Sequence, residues 1–258
     1  MAGADRKAKG TRVPGAGRAR GTAEGLGAAL RREVALGCRV LALQGLAEGM
    51  LGIVGHRRPA AGTFWIKPAD LPLAEVTSQS LLLFDLEGKL LVGDRPPHSE
   101  IPQYTEIYRL RPDVASIVHL HSPYAAAFCT RGEGLAQLNQ YSAFFLDGLP
   151  IFRESPERVA TVALGRAIAE CLGGAKALLI QHHGMVAVGP DMPTAVGTAV
   201  FLERAIQSQA RAAQFGALVP LDESWAKRLA ASTPYARLIA HEWAASLRRL
   251  QRRLKPVG

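Results

Sequence analysis

His119 and His121 stand two apart at the end of an apolar run, in SIVHLHSP at residues 116–123. Side chains two apart on a strand share a face and lie roughly 7 Å apart, so both imidazoles project together. That pair suits a divalent metal with Zn–N near ~2.0–2.1 Å, although two hydrogen-bonded structural histidines satisfy the same spacing. A second stretch, ALLIQHHGMVAVG at 177–189, sets His182 and His183 on opposite faces of another apolar strand, with Gly184 letting the backbone turn. One of the two faces a site shared with His119 and His121; the other is structural or orients a ligand. Burying several histidines near strand ends is costly unless something binds them, and a metal supplies the reason. The third element is Glu100 in PPHSEIP, where a carboxylate also suits the N-terminus of the following helix. Three imidazoles and one carboxylate make a four-ligand site, or a three-histidine site with an acid/base beside it.

The elements that must carry these residues are readable from periodicity and punctuation. Leu26, Leu30, Val34, Cys38 and Leu41 recur at helical spacing, predicting a helix from Thr22 to about Gly45. TFWIKP is a short strand, and SLLLFDLEGKLLVGD is a hairpin with Gly88 in its turn. IPQYTEIYRLRP opens on Pro102 near a helix start, VASIVHLH is the strand that ends in the histidine pair, and PYAAAFCT begins another helix. SAFFLDGLPIF reads as strand, turn and strand. SPERVATVALGRAIAECLGG reads as a helix with Ser155 as N-cap and Pro156 at the first helical position. A long helix follows from Met192 to Gly216, and the chain is helical again from about Ser224. Strands alternating with helices, with hairpins among them, predict one α/β domain: a mixed sheet with helices on both faces.

Composition narrows the function. The formal charge of +9 is concentrated at the ends: residues 1–20 carry six basic and one acidic residue, and residues 244–258 carry five basic and none acidic. The remainder is close to neutral, so the tails are solvated ends rather than a nucleic-acid stripe. No apolar run approaches the roughly 18 residues of a membrane span, and residues 1–20 lack the apolar segment of a secretory signal. Cys38, Cys129 and Cys171 show no paired spacing, which fits a reduced cytoplasm. Residues 1–22 read as a disordered arm, 23–220 as the metal-binding domain and 221–258 as a helical extension.

Taken together, the motifs resemble the class II aldolase/adducin family, whose pattern is SSE, then nineteen residues later HxH, and further on HHG or NHG. Here Glu100 of HSE precedes His119 of HLH by nineteen positions, and HHG follows at 182–184. The resemblance covers about residues 24–218 and implies a three-layer fold around a mostly antiparallel sheet. It implies His119, His121 and His183 as metal ligands, His183 being preferred because NHG relatives keep that position. It implies Glu100 as resting-state ligand and acid/base, and a divalent Zn, Mn, Fe or Co ion. It further implies a homotetramer with sites between subunits, and Tyr141 as a residue reaching a neighbour's site.

The chain departs from the family's phosphate-binding pattern. Where sugar-phosphate members have GNxS, a TPSG-like turn and two serines, it has GIVGHR with Ile53, IKPAD with Ala69 and Asp70, and His98 before Ser99. Asp70 repels phosphate, whereas His56, Arg57, Arg58, Lys67, His98 and Ser99 suit carboxylates. HSEIPQYTEIYRLRPDV is most similar to the family's aromatic-acid decarboxylases, which act on substrates such as 3-hydroxy-2-methylpyridine-4,5-dicarboxylate or 3,4-dihydroxyphthalate. The resemblance thus implies metal-dependent decarboxylation of a hydroxy-aromatic dicarboxylate. An aldolase or epimerase acting on a sugar or hydroxy-keto acid, an Fe(II) oxygenase and a non-enzymatic scaffold are the alternatives.

Overall fold

The structure, a computed structural model, describes residues 16–47, 49–58 and 62–254. The basic stretch 1–15 and the last four residues lie outside the described residues. Eight strands make one sheet: β1 (Ile53–Arg57), β2 (Thr63–Ile66), β3 (Leu82–Asp85), β4 (Leu90–Val92), β5 (Ser116–Leu120), β6 (Ile151–Phe152), β7 (Ala177–Ile180) and β8 (Gly184–Gly189). Their order is β4-β3-β2-β1-β5-β8-β7-β6, and every neighbouring pair is antiparallel except β6 and β7. The strand carrying the histidine pair is therefore central, between β1 and β8.

The helices are α1 (Ala16–Leu43), α2 (Ile101–Leu110), α3 (Pro123–Phe128), α4 (Gln140–Ala143), α5 (Val162–Leu172), α6 (Met192–Ala212), α7 (Glu223–Ser232) and α8 (Tyr235–Leu254). Alternation along the buried central strands splits the core into two layers. Ile53, Ile117, Leu178 and Val186 pack with α2 and α5, whereas Val54, Val118, Leu179 and Ala187 pack with α1 and α6. The result is the expected three-layer α/β domain, with a mixed, mostly antiparallel sheet and helices on both faces. His119 shares its strand face with Ile117, so the histidine pair belongs to the α2/α5 side. Gly165 of α5 lies against the first turn of α2, where a Cβ would come within 2.5 Å of the Pro102 carbonyl oxygen. That close approach seats the helix start beside Glu100.

Three segments differ from the sequence reading. SAFFLDGLPIF is not a pair of strands: Asn139 and Ser142 form a capping box that starts α4, and only Ile151–Phe152 pair as β6. Phe144 and Phe145 are both buried, a pattern that a helical turn packed on α6 satisfies as readily as a strand covered on both faces. The helix expected from Ser155 begins at Val162 with Thr161 as N-cap, leaving 155–161 as a loop. HHG lies at the turn of a β7–β8 hairpin rather than within one strand. The left-handed residue there is His182, at φ 59°, not Gly184. Helix α1 starts six residues before Thr22.

Candidate metal centre

His119 sits at the end of β5, facing Ile53 of β1 and Val186 of β8 across the ladders. Its ring is fully buried, and its Nδ1 lies 3.0 Å from the Met185 carbonyl oxygen. A carbonyl only accepts, so Nδ1 carries the hydrogen and Nε2 presents a lone pair. His183 repeats the arrangement: its Nδ1 is 2.9 Å from the Pro156 carbonyl oxygen, which leaves Nε2 unprotonated. His121, one residue past β5, brings its Nε2 to 3.2 Å from that of His119. The ring centroids of the three histidines lie 4.7–5.1 Å apart, and one ligand nitrogen from each falls within 4.8 Å of the others. Glu100, at the N-terminus of α2, holds Oε2 3.5 Å from His119 Nε2 and Oε1 3.6 Å from His183 Nε2.

These residues fit a divalent cation. The His183 Nε2 is buried and has no hydrogen-bond partner, and a buried lone pair is costly to leave unsatisfied. The two backbone carbonyls fix the tautomers that a ligand set needs. The Gly184 Cα faces the end of β5, where a Cβ would meet the Leu120 carbonyl oxygen at 2.4 Å, so only glycine lets the two histidine-bearing segments come together. At position 182, two residues before it, left-handed backbone suits His or Asn better than most residues, which gives a physical reason for the HHG and NHG alternatives. The His182 side chain is exposed and takes no part in the cluster.

Burial, with His183 alongside, pushes His119 down to about 3. Burial and both neighbouring imidazoles push His121 down to about 4. Both rings are therefore already deprotonated at neutral pH, and a metal ion has no protons to displace from them. Protonation of these two rings should contribute almost nothing to any loss of Zn(II) affinity between pH 8 and pH 6, whereas three ordinary histidines with pKa near 6.5 would lose roughly 50-fold or more over that interval. Competition titrations with a chromogenic chelator at these two pH values measure it; a tenfold or greater loss at pH 6 would contradict it.

The loop at 155–161 closes the site. Pro156 supplies the carbonyl that orients His183, and the Val159 N–H donates to Glu100 Oε1 at 3.2 Å. Both backbone groups are engaged with the site, not with a helix. A cavity of about 360 Å³ opens from the cluster, at the small end of the roughly 300–1,000 Å³ typical of ligand pockets. Glu100, His119 and His121 form one corner, and Met50, Leu51, Ile53, Ala69 and Pro97 form an apolar wall.

Of the residues expected to meet a substrate, His98 and Ser99 line this cavity. Lys67 is fully buried behind His98, donating to the carbonyls of Pro68 (3.0 Å) and Met50 (3.4 Å) and lying 3.3 Å from His98 Nε2. Burial pushes Lys67 down to about 8, and burial with the Lys67 ammonium pushes His98 down to about 4. His56 and Arg57 are carried away from it. Ile53 is the residue of β1 beside His119, so the far end of that strand points elsewhere. His56 lies 2.7 Å from Ser116 Oγ and 3.1 Å from a Glu33 carboxylate oxygen on α1. Arg57 donates to the carbonyls of Tyr108, Arg111 and Val114. Arg58 is exposed just past β1 and does not line the cavity. Asp70 pairs with Arg95 at 2.7 Å. Tyr141 is on α4, its ring 5.5 Å from that of Phe201 and beneath the Arg204 guanidinium, outside the cavity of its own chain. Arg158 lines the cavity, and the sequence reading missed it because Ser155-Pro156 mimics a helix start.

A three-layer domain with three convergent imidazoles and an adjacent carboxylate is the architecture of a metal-dependent enzyme site. Residues 32–210 match the family described as Class II Aldolase and Adducin N-terminal domain, and the chain belongs to that family. It is 30% identical to the 4-hydroxy-3-prenylphenylpyruvate oxygenase/4-hydroxy-3-prenylbenzoate synthase of Streptomyces roseochromogenus subsp. oscitans, over 67% of this chain and 64% of that one. It is 32% identical to Decarboxylase NovR of Streptomyces niveus, over 57% of this chain and 56% of that one. The L-fuculose 1-phosphate aldolase from Glaciozyma antarctica PI12 superposes with a TM-score of 0.72 at 26% identity, covering 86% of this chain and 93% of that chain. Members of the family use a divalent metal, and lyase chemistry is what the match supports at family level. Among the described residues, no helix is long and apolar enough to cross a membrane.

Proposed function

We propose that the protein is a divalent-metal-dependent decarboxylase of a hydroxylated aromatic or heteroaromatic dicarboxylate. The observation that carries this reading is the cavity: a cation-binding corner faces an apolar wall, where phosphate-binding relatives would present amides and hydroxyls. Ile53 and Ala69 line the cavity where the sequence pattern puts those donors, while Asp70, expected to repel phosphate, is paired with Arg95 outside the lining. One relative is named a decarboxylase, and the name of another, an oxygenase and prenylbenzoate synthase, contains aromatic acids.

His119, His121 and His183 would hold the cation, with Glu100 beside them. When bound, it supplies Lewis acidity toward a ring oxygen and its adjacent carboxylate, and accepts charge as carbon dioxide leaves. The carbon–carbon bond breaks with its electron pair staying on the ring carbon. A proton from Glu100, or from water that it positions, then closes that carbon's valence. The apolar wall keeps other water from the reacting carbon.

The ion is Zn, Mn, Fe or Co, since imidazole and carboxylate suit all four. The unpaired cysteines agree with a cytoplasmic setting. The family resemblance supports a homotetramer in which Tyr141 reaches a neighbouring subunit's site.

The test is carbon dioxide release by Mn- or Zn-loaded protein from a panel of ortho-hydroxy aromatic dicarboxylates. Release from one member, abolished by chelator, is the expected result. Cleavage of hydroxy-keto acids without carbon dioxide release would instead establish the aldolase reading, which the likeness to the fuculose phosphate enzyme favours.

A further inference from the structure

We propose that Arg158 determines specificity by receiving a second carboxylate of the substrate, the one that is not lost, so that the site selects a planar dianion. This assignment rests on the proposed aromatic-acid reading and names what distinguishes its substrates.

Arg158 is the only lysine or arginine lining the cavity among the described residues, and Glu100 is the only carboxylate. The Arg158 guanidinium has no ion-pair partner among the described residues, unlike Arg95, Arg109, Arg111 and Arg131, whose carboxylate partners lie within 3.4 Å. Lys67, the other cation nearby, is turned toward backbone carbonyls and His98.

The position of Arg158 is built by the metal corner itself. Two residues before it, the Pro156 carbonyl accepts the His183 Nδ1–H; one residue after it, the Val159 N–H donates to Glu100. These two bonds fix the backbone of Arg158 relative to the histidines. The side chain is exposed at the edge of the cavity that it lines.

The three sectors of the cavity define a ligand. A chelating oxygen pair belongs at the histidines, a flat apolar ring belongs against Met50, Leu51, Ile53 and Pro97, and an anion belongs at Arg158. One guanidinium matches a planar carboxylate through two parallel N–H···O bonds. A phosphate monoester would need the additional donors that Ile53 and Ala69 do not provide.

Binding to Mn-loaded protein tests the assignment without requiring turnover. The probes are 3-hydroxyphthalate and salicylate, which differ by one carboxylate, together with phenyl phosphate; calorimetry reads each affinity. The wild type should bind 3-hydroxyphthalate about tenfold or more tightly than salicylate, as expected for one charge-assisted bidentate contact. Arg158→Gln should bring that ratio near one with salicylate affinity and metal stoichiometry retained, and Arg158→Lys should restore only part of it. An unchanged ratio in Arg158→Gln overturns the proposal. So does equal loss of both ligands, which marks a role in holding the loop, or no binding of 3-hydroxyphthalate by the wild type. Phenyl phosphate binding more tightly than the dicarboxylate assigns Arg158 to phosphate instead. Absence of carbon dioxide release with the ratio intact would defeat the decarboxylase reaction alone and leave the anion subsite standing.

Discussion

His121→Ala is expected to abolish stoichiometric Mn(II) or Zn(II) binding and to lower lyase turnover by about 10³-fold or more, because two imidazoles and a carboxylate cannot hold the ion in the same geometry. His121 is the informative choice because the fold depends on it least. It lies beyond the last residue of β5, is only half-buried, and has no hydrogen bond to backbone. His119 is fully buried and bonded to Met185, and His183 satisfies the Pro156 carbonyl, so truncating either also damages the strand ends or the loop. Metal content by elemental analysis, with circular dichroism as the folding control, reads the result. His182→Ala is the matched control, since that ring is exposed and outside the cluster. Full metal occupancy in a folded His121→Ala protein would remove the three-histidine centre from consideration.

The His119 and His121 pair was legible in the sequence because its geometry is local, whereas His183 was chosen over His182 through the family resemblance. Two residues apart on a strand is a fixed displacement, and what distinguishes a ligand pair from two structural histidines is the second histidine segment that meets it. Glu100 was legible less directly: Pro102, the second residue of α2, marks the helix start beside it, and the nineteen-residue spacing to His119 carries the family resemblance. The substrate end was much less so. His56 and Arg57 lie only three and four residues beyond Ile53, yet strand register carries them toward Ser116 and away from the site. Arg158 was invisible because its loop has no local signature. Its shape depends on Pro156 and Val159 bonding to His183 and Glu100, partners 27 and 59 residues away. Hydrophobic patterning gave the layers, β2 to β5 and the apolar run of β7 and β8, but not β1, whose residues 53–57 went unassigned. It failed at FFLDG, where two adjacent buried phenylalanines satisfy a turn packed against α6 as well as they would a strand.

The second large effect is expected at a residue that touches neither ion nor substrate. Glu203 of α6 is buried, and its carboxylate accepts from Ser122 Oγ at 2.7 Å, from the Tyr124 N–H at 2.8 Å and from the Ala125 N–H at 3.0 Å. Those donors are the first turn of α3, which starts immediately after His121. Ser122 occupies the N-cap position but makes no capping bond with its side chain, so an anion from another helix satisfies the open N–H groups instead. Glu203→Ala removes all three bonds and leaves the buried Ala125 amide and the part-buried Tyr124 amide without partners, at roughly 1–3 kcal/mol each. Loss of about 3–5 kcal/mol is therefore expected, a large part of the roughly 5–15 kcal/mol stability of a typical domain. Glu203→Gln keeps one accepting oxygen but turns an NH₂ group toward donors, and should cost an intermediate amount. Urea denaturation of the metal-free proteins measures both. Because α3 anchors the chain just past His121, metal affinity should fall in the same order, glutamine less than alanine. Unchanged stability in Glu203→Ala would show that water replaces the carboxylate at the helix start. Unchanged metal affinity in a destabilised variant would show that β5 alone, without its anchor on α6, holds the histidine pair.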